Sequence, residues 1–199
     1  MNINLVDGRG TGNAAGVSKD GRVSVVGVMR TQIQQASLNG DAYNISTGPI
    51  TLTSAAQSAV LYLKNDGDAD LVVKSLGVRI GATTGGGTNV ATLDVSANST
   101  GGTIISGASA LAANSNLNAG SAKILEGDFY KGAQGNTLTG GKAVSNTATN
   151  NFTDPVSFAF GDAGFVLPKG TNVGLLFTPP TGNTSQTIIV FGILFYEVA

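Results

Sequence analysis

Apolar and polar positions alternate with a period of two along most of the chain. Such a period turns successive side chains to opposite faces of a β-strand. Val23–Val28, Ile50–Thr53, Ala59–Lys64 and Leu71–Ile80 carry it in the first half. Val156–Phe160, Phe165–Leu167, Val173–Phe177 and Ile188–Val198 carry it in the last third. Weaker strands are expected at Val90–Val95, Thr103–Ile105, Ile124–Leu125 and Phe129–Tyr130. Between them stand turn signals: Asn65-Asp66-Gly67-Asp68-Ala69-Asp70, Pro168-Lys169-Gly170 and Pro180-Thr181-Gly182-Asn183. Only Thr31–Ser37 reads as helical, for one turn or two. Antiparallel strands joined by short turns predict an all-β fold, an antiparallel β-sandwich of jelly-roll type.

The last strand departs from the pattern of a sheet with one wet face. Ile188, Val190, Leu194 and Tyr196 fall on one side, and Ile189, Phe191, Ile193 and Phe195 on the other. Both sides are apolar, and Val60/Tyr62 against Leu61/Leu63 repeats the feature. Either another element of the chain covers the outer face or another subunit does. Ile189, Phe191, Ile193, Leu194 and Phe195 are therefore candidates for an oligomer interface, with a homotrimer expected.

Two stretches lack a strong period. Residues 1–22, rich in Gly and turn dipeptides, cannot bury enough surface to fold alone and read as an extended N-terminal arm. Residues 23–199 form the sandwich body. Within it, residues 82–122 contain a single charge, Asp94, among Gly, Ala, Ser, Thr and Asn, and are expected to form an insertion.

Composition narrows the chemistry. The 199 residues include 29 Gly, 21 Thr, 17 Asn and 16 Ser, but no His, Cys or Trp. Imidazole- or thiolate-based catalysis, disulfides and zinc sites of Cys and His are thereby excluded. With 41% hydrophobic residues and a net charge of −1, the chain lacks the signature of disorder. Residues 1–30 carry four basic side chains (Arg9, Lys19, Arg22, Arg30) against Asp7 and Asp20. That excess is too small to predict nucleic-acid binding. The longest apolar run, Ile188–Tyr196, is too short to cross a bilayer, and no basic patch followed by an apolar run suggests a secretory signal.

Short motifs fail when their full requirements are applied. Gly10-Thr11-Gly12-Asn13-Ala14-Ala15 has the spacing of a dinucleotide fingerprint, but the Gly16–Gly21 stretch that follows is turn-rich where a helix is required. Asp66, Asp68 and Asp70 have the opening spacing of a calcium loop, yet the sixth and twelfth positions are Leu71 and Gly77 instead of Gly and Glu. Glu126 and Asp128 straddle a Gly without an enzymatic context. The Asn-x-Ser/Thr triplets at Asn44, Asn98, Asn151 and Asn183 are those chance supplies in so Asn- and Thr-rich a chain. No catalytic residue, cofactor or metal site is assigned.

Val6-Asp7-Gly8-Arg9-Gly10-Thr11-Gly12-Asn13-Ala14-Ala15-Gly16-Val17, followed by Asp20-Gly21-Arg22-Val23, resembles the opening of a group of tailed-bacteriophage virion structural proteins. The likeness continues through Asp41–Ile45, Gly48–Thr53 and Ala59–Asn65, and covers roughly residues 6–80; Leu167–Gly170 and Phe195–Glu197 fit more loosely, and 82–155 lie outside it. Proteins of this kind include capsid decoration, or cement, proteins. The resemblance implies a β-sandwich that sits on the outer surface of the shell, commonly as a trimer, and grips the major capsid protein with a terminal arm. Asp7, Gly8, Arg9, Gly10, Gly12 and Arg22 are the capsid-contact candidates on that basis. The partners are then the major capsid protein and the chain itself, with no nucleic acid and no membrane, and the location is the virion surface after synthesis in the host cytoplasm. A tail, baseplate or head-fibre component involved in host attachment is the alternative the same likeness allows.

Overall fold

A computed structural model describes residues 16–17, 23–24, 30–85, 89–111, 114–150, 155–161 and 163–197. The chain divides into two compact units, Met1–Thr31 and Gln32–Ala199. In the first, β1 (Gly16–Val17) pairs antiparallel with β2 (Val23–Ser24). The boundary thus falls at residue 31, beyond the expected 22. Val23 and Ser24 pair with Val17 and Gly16 of the same unit.

The second unit begins with α1 (Gln32–Asn39). Gly40, at φ 77°, closes it: Gly40 N donates to Ser37 O at 3.1 Å and Asp41 N to Ala36 O at 2.8 Å. This is a Schellman stop, which requires a left-handed residue that glycine adopts at least cost. The helix runs two residues past the expected turn because Ala36 and Ile33 find an apolar surface in Ala42, Val72 and Phe195.

Twelve further strands follow among the described residues. They are β3 (Ala42–Leu52), β4 (Ser58–Asn65), β5 (Leu71–Gly85), β6 (Ala91–Ala97), β7 (Ser109–Ala110), β8 (Asn114–Asn116), β9 (Gly127–Lys131), β10 (Lys142–Thr149), β11 (Val156–Ala159), β12 (Phe165–Leu167), β13 (Asn172–Thr178) and β14 (Asn183–Tyr196). A short helix, α2 (Thr103–Gly107), lies between β6 and β7.

Two antiparallel sheets form, ordered β10-β6-β13-β4-β9-β7 and β11-β5-β14-β3-β8, with β12 also on β5. One rule generates the core of both. Taking β11 and β12 as one broken strand, the chain has eight principal strands. The first pairs with the eighth (β3, β14), the second with the seventh (β4, β13), the third with the sixth (β5, β11/β12) and the fourth with the fifth (β6, β10). A long hairpin rolled into two sheets has this connectivity: the fold is the jelly roll that alternation and short turns predicted.

The core lies between the sheets. Ile45, Leu52, Leu61, Leu63, Val73, Leu76, Val78, Leu93, Val95, Leu175, Phe177, Ile188, Val190 and Leu194 belong to one buried cluster. β6 shows how a strand is written without large residues: Ala91, Leu93, Val95 and Ala97 are buried while Thr92, Asp94 and Ser96 are half-buried. The 82–122 tract is therefore not one insertion. It contains the end of β5 and all of core strand β6. The excursion outside the eight-strand plan runs from residue 98 to 141, and adds β8 to the edge of β3 and β9 to the edge of β4.

Candidate functional site

The outer faces of the two sheets meet different fates. On the β4 sheet, Tyr62 and Ala59 are covered by Ile104 of α2, with Ile105, Ala108, Tyr130 and Leu138 packed around them. Tyr62 and Tyr130 stack with ring centroids 5.9 Å apart. The same chain thus caps the apolar outside of β4, and the excursion at 98–141 supplies the cap.

On the β14 sheet the cover is partial. Phe195 is 2% exposed beneath α1, packed with Ala36, Ala42 and Val72. Leu194 points inward and is 0% exposed in the main core. Both are corrections to the expected interface: neither presents surface to a second subunit. Ile189, Phe191 and Ile193 remain half-buried on the outside. Their cross-strand neighbours are Pro49, Ser46 and Asn44 on β3 and Arg79, Gly77 and Ser75 on β5. The result is an apolar stripe in a trough of small and polar residues. Val166, opposite Val72 on the neighbouring β5, is 42% exposed.

A cleft of about 570 Å³ opens at the end of the sandwich where β3 starts and β14 ends. Tyr43, Tyr196, Asp41, Asp68, Lys123 and Glu126 contribute to its wall. Its polar groups engage one another. Tyr43 Oη donates to Ile124 O at 3.2 Å, and Lys123 Nζ pairs with Asp41 at 2.7 Å. Tyr196 Oη accepts from Glu126 N at 2.9 Å and donates to Glu126 O at 3.1 Å. The two rings meet edge-to-face at 6.1 Å. Burial, reinforced by Asp41, pushes the Tyr43 phenol up to about 12. Burial also raises Tyr196, against the opposing backbone bond at Glu126. These bonds fasten the 121–126 segment to the sandwich, and Glu126 acts there through its main chain.

Two carboxylates of the Asp66-Asp68-Asp70 hairpin tip pair with separate lysines. Asp66 pairs with Lys64 at 2.7 Å, and Asp68 pairs with Lys169, whose hydrogen bond holds the Asp68 carboxyl below its usual range. Asp128 stands 3.7 Å from Lys64 and accepts from Tyr130 Oη at 3.3 Å. Among the described residues no group of three or more His, Cys, Asp or Glu is arranged to hold a metal ion, and no helix is long and apolar enough to cross a membrane. What organises the tip is Asn65, which is fully buried. Its Nδ2 donates to Ala69 O at 2.9 Å and Leu167 O at 2.8 Å, and its Oδ1 accepts from Gly67 N at 3.0 Å. The Asn-Asp-Gly turn signal marked this place in the sequence; the long-range bond to Leu167 had no signal.

The arm candidates Asp7, Gly8, Arg9, Gly10, Gly12 and Arg22 lie outside the described residues. So does the Gly10–Ala15 fingerprint, but the position after it is described: Gly16–Val17 is strand, where a dinucleotide site needs a helix. Compared with known proteins, the chain matches no protein-family model, and no curated protein is significantly similar to it. Fold and surface define an all-β jelly-roll protein with a separate N-terminal unit.

Proposed function

We propose that the chain is a structural protein of a tailed-phage virion that decorates the capsid, binding the outer surface of the major capsid protein shell and stabilising it. It acts as a homo-oligomer, most simply a trimer, without catalysis, cofactor, nucleic acid or membrane. The observation that carries the reading is the phage-like motif at Val6–Val17 and Asp20–Val23, contained in a unit, Met1–Thr31, distinct from the sandwich.

The physics suits the role. A protein that binds only the assembled shell stabilises that state by mass action. A Gly-rich segment can follow a neighbouring surface with backbone hydrogen bonds and needs no preformed pocket. Asp7, Arg9 and Arg22 supply charge-assisted contacts to the shell. The sandwich contributes bulk and the apolar stripe at Ile189, Phe191 and Ile193 for self-association.

Co-sedimentation with capsids stripped of the protein tests the proposal. Removal of residues 1–22 should leave the far-ultraviolet β signal unchanged and abolish most of the co-sedimentation. Undiminished binding by the truncated chain would move the attachment face to the sandwich. A full-length protein that ignores capsids but binds host cells belongs to the tail, baseplate or head fibre instead.

A further inference from the structure

The cleft at the end of the sandwich carries more negative charge than its own cations match. Asp41, Asp68, Glu126 and Glu197 line it with one ammonium, that of Lys123. Lys123 pairs with Asp41, and Lys169 reaches Asp68. Two carboxylates are left over. Glu126 is bonded through its main chain, to Tyr196 Oη and Asp66 N, and among the described residues no cation pairs with its side chain. Glu197 Oε1 accepts from the neutral amide of Gln32 at 3.5 Å. After burial, the charges of Asp41 and Glu126 help to raise both the Tyr43 and Tyr196 phenols, so both rings feel a negative field. A cleft lined by one sign of charge concentrates that field and draws in cations.

The rest of the wall includes Ala69, Ala122 and Ile124, the last 70% exposed. Two further apolar side chains, Leu38 at 56% and Leu117 at 44%, stand on segments bonded to the same corner. Leu117 N donates to Ala42 O, between the cleft residues Asp41 and Tyr43, and Leu38 O accepts from Asn118 Nδ2. Half of the six large apolar side chains exposed among the described residues therefore belong to this corner. One exposed leucine is ordinary, but a concentration of them beside a cleft is a feature of interaction sites. All of these residues lie in the Gln32–Ala199 unit.

We propose that the cleft is a docking site for a basic side chain, arginine or lysine, presented by the surface of another protein. Such a side chain joins an aliphatic stem to a charged head. The stem suits Ala69, Ala122 and Ile124, and the head suits the carboxylates of Glu126 and Glu197. Apolar neighbours of that residue on the partner would cover Leu38 and Leu117. A bare metal ion suits the site less, since among the described residues no three carboxylates are grouped to hold one. The wall is already fixed by the two bonds of Tyr196 Oη to Glu126, so docking has little to order. The inference does not rest on the capsid reading.

The test uses the full chain and the peptide acetyl-Leu-Gly-Arg-Gly-Leu-amide. A second peptide has citrulline, which is neutral, in place of arginine, and a third has glycine in place of both leucines. Nuclear magnetic resonance titration at low salt should show saturable shifts at the amides of Gly67, Ala122 and Glu126, and added salt should weaken the binding. The citrulline peptide should bind about tenfold more weakly or worse, because the charge-assisted bonds are lost. The glycine peptide should bind a few-fold more weakly. Glu126→Gln with Glu197→Gln keeps the main-chain bonds, so its spectrum should stay dispersed while affinity for the arginine peptide falls several-fold. No shifts at those amides, equal binding of the citrulline peptide, or undiminished binding by the folded variant would each overturn the proposal. Equal binding of the glycine peptide would reduce the occupant to a lone cation and overturn its assignment to a protein surface.

Discussion

The ring of Phe191 on β14 lies across Gly77 on β5: a Cβ built at residue 77 would stand 2.6 Å from Phe191 Cζ and 2.9 Å from Val156 O. The missing side chain lets the aromatic ring settle against the sheet surface, where Phe191 is half-buried. Gly77→Ala should therefore lift the ring and strain the pairing with β11. We expect a loss of about 1–3 kcal/mol in chemical denaturation, the usual cost of forcing a methyl into filled space. Unchanged stability would mean that the ring does not rest there.

Asn65 joins the 65–70 hairpin to the end of β12 through three hydrogen bonds made in full burial. Asn65→Ala leaves two carbonyls and one N–H without that partner, and should cost about 2–4 kcal/mol. Asn65→Asp keeps the acceptor but aims a carboxylate at two carbonyl oxygens, and should be worse than alanine. By contrast Asp68→Asn, which breaks an ion pair at a fully exposed carboxylate, should leave the denaturation midpoint unmoved.

Most core strands were legible because they bury one face against the other sheet, so their period of two is written in residue types; Thr103–Ile105 and Ile124–Leu125, expected as weak strands, are helix α2 and irregular chain, and β10, made of small and polar residues, gave no strand signal. β6 was underestimated, since Ala91 and Ala97 fill narrow space with the same small residues that loops use. The apolar outside of β14 was legible too, but not its division. Alternation placed Phe195 beside Ile193, and only the packing of Ile33 and Ala36 shows that α1 closes over one and leaves the other. The grouping of Leu194 with the outer residues failed for a simpler reason: it sits on the opposite side of the strand. Asn65 illustrates the remaining limit, because its turn is local and readable while its bond to Leu167 spans a hundred residues of chain.

Alkaline pH should destabilise the sandwich. Tyr43 is raised by burial to about 12 from an ordinary value near 10, and burial raises Tyr62 and Tyr196 as well. A phenol that holds its proton more tightly when folded contributes stability below the unfolded value and loses it as pH climbs through the folded one. The phenols' contribution should thus be constant below pH 10 and fall between about 10 and 12, by on the order of 2 kcal/mol for Tyr43. Urea denaturation across that range, with phenolate absorbance followed in parallel, checks the sign. Tyr43→Phe should be less stable at neutral pH, having lost the bond to Ile124 O, and should show a shallower alkaline decline.

Ile193 and Leu194 are adjacent in β14 and should answer differently to the same substitution. Leu194 is sealed between the sheets, so Leu194→Asp buries an unpaired carboxylate in the main core. The group cannot be hydrated there, and a cost of several kcal/mol is comparable with the whole stability of a domain this size. We expect a chain that is insoluble or lacks β signal. Ile193 stands on the outer stripe, half-buried and flanked by Asn44 and Ser75, where a carboxylate can reach water. Ile193→Asp should keep the β signal and lose about 1 kcal/mol of burial within the protomer. In an oligomer that uses the stripe, however, the same aspartate is desolvated opposite apolar residues, and assembly should fail. Light scattering at micromolar concentration, with circular dichroism on the same samples, separates the cases. A folded Ile193→Asp protein with the wild-type mass would show that the stripe is not where copies meet.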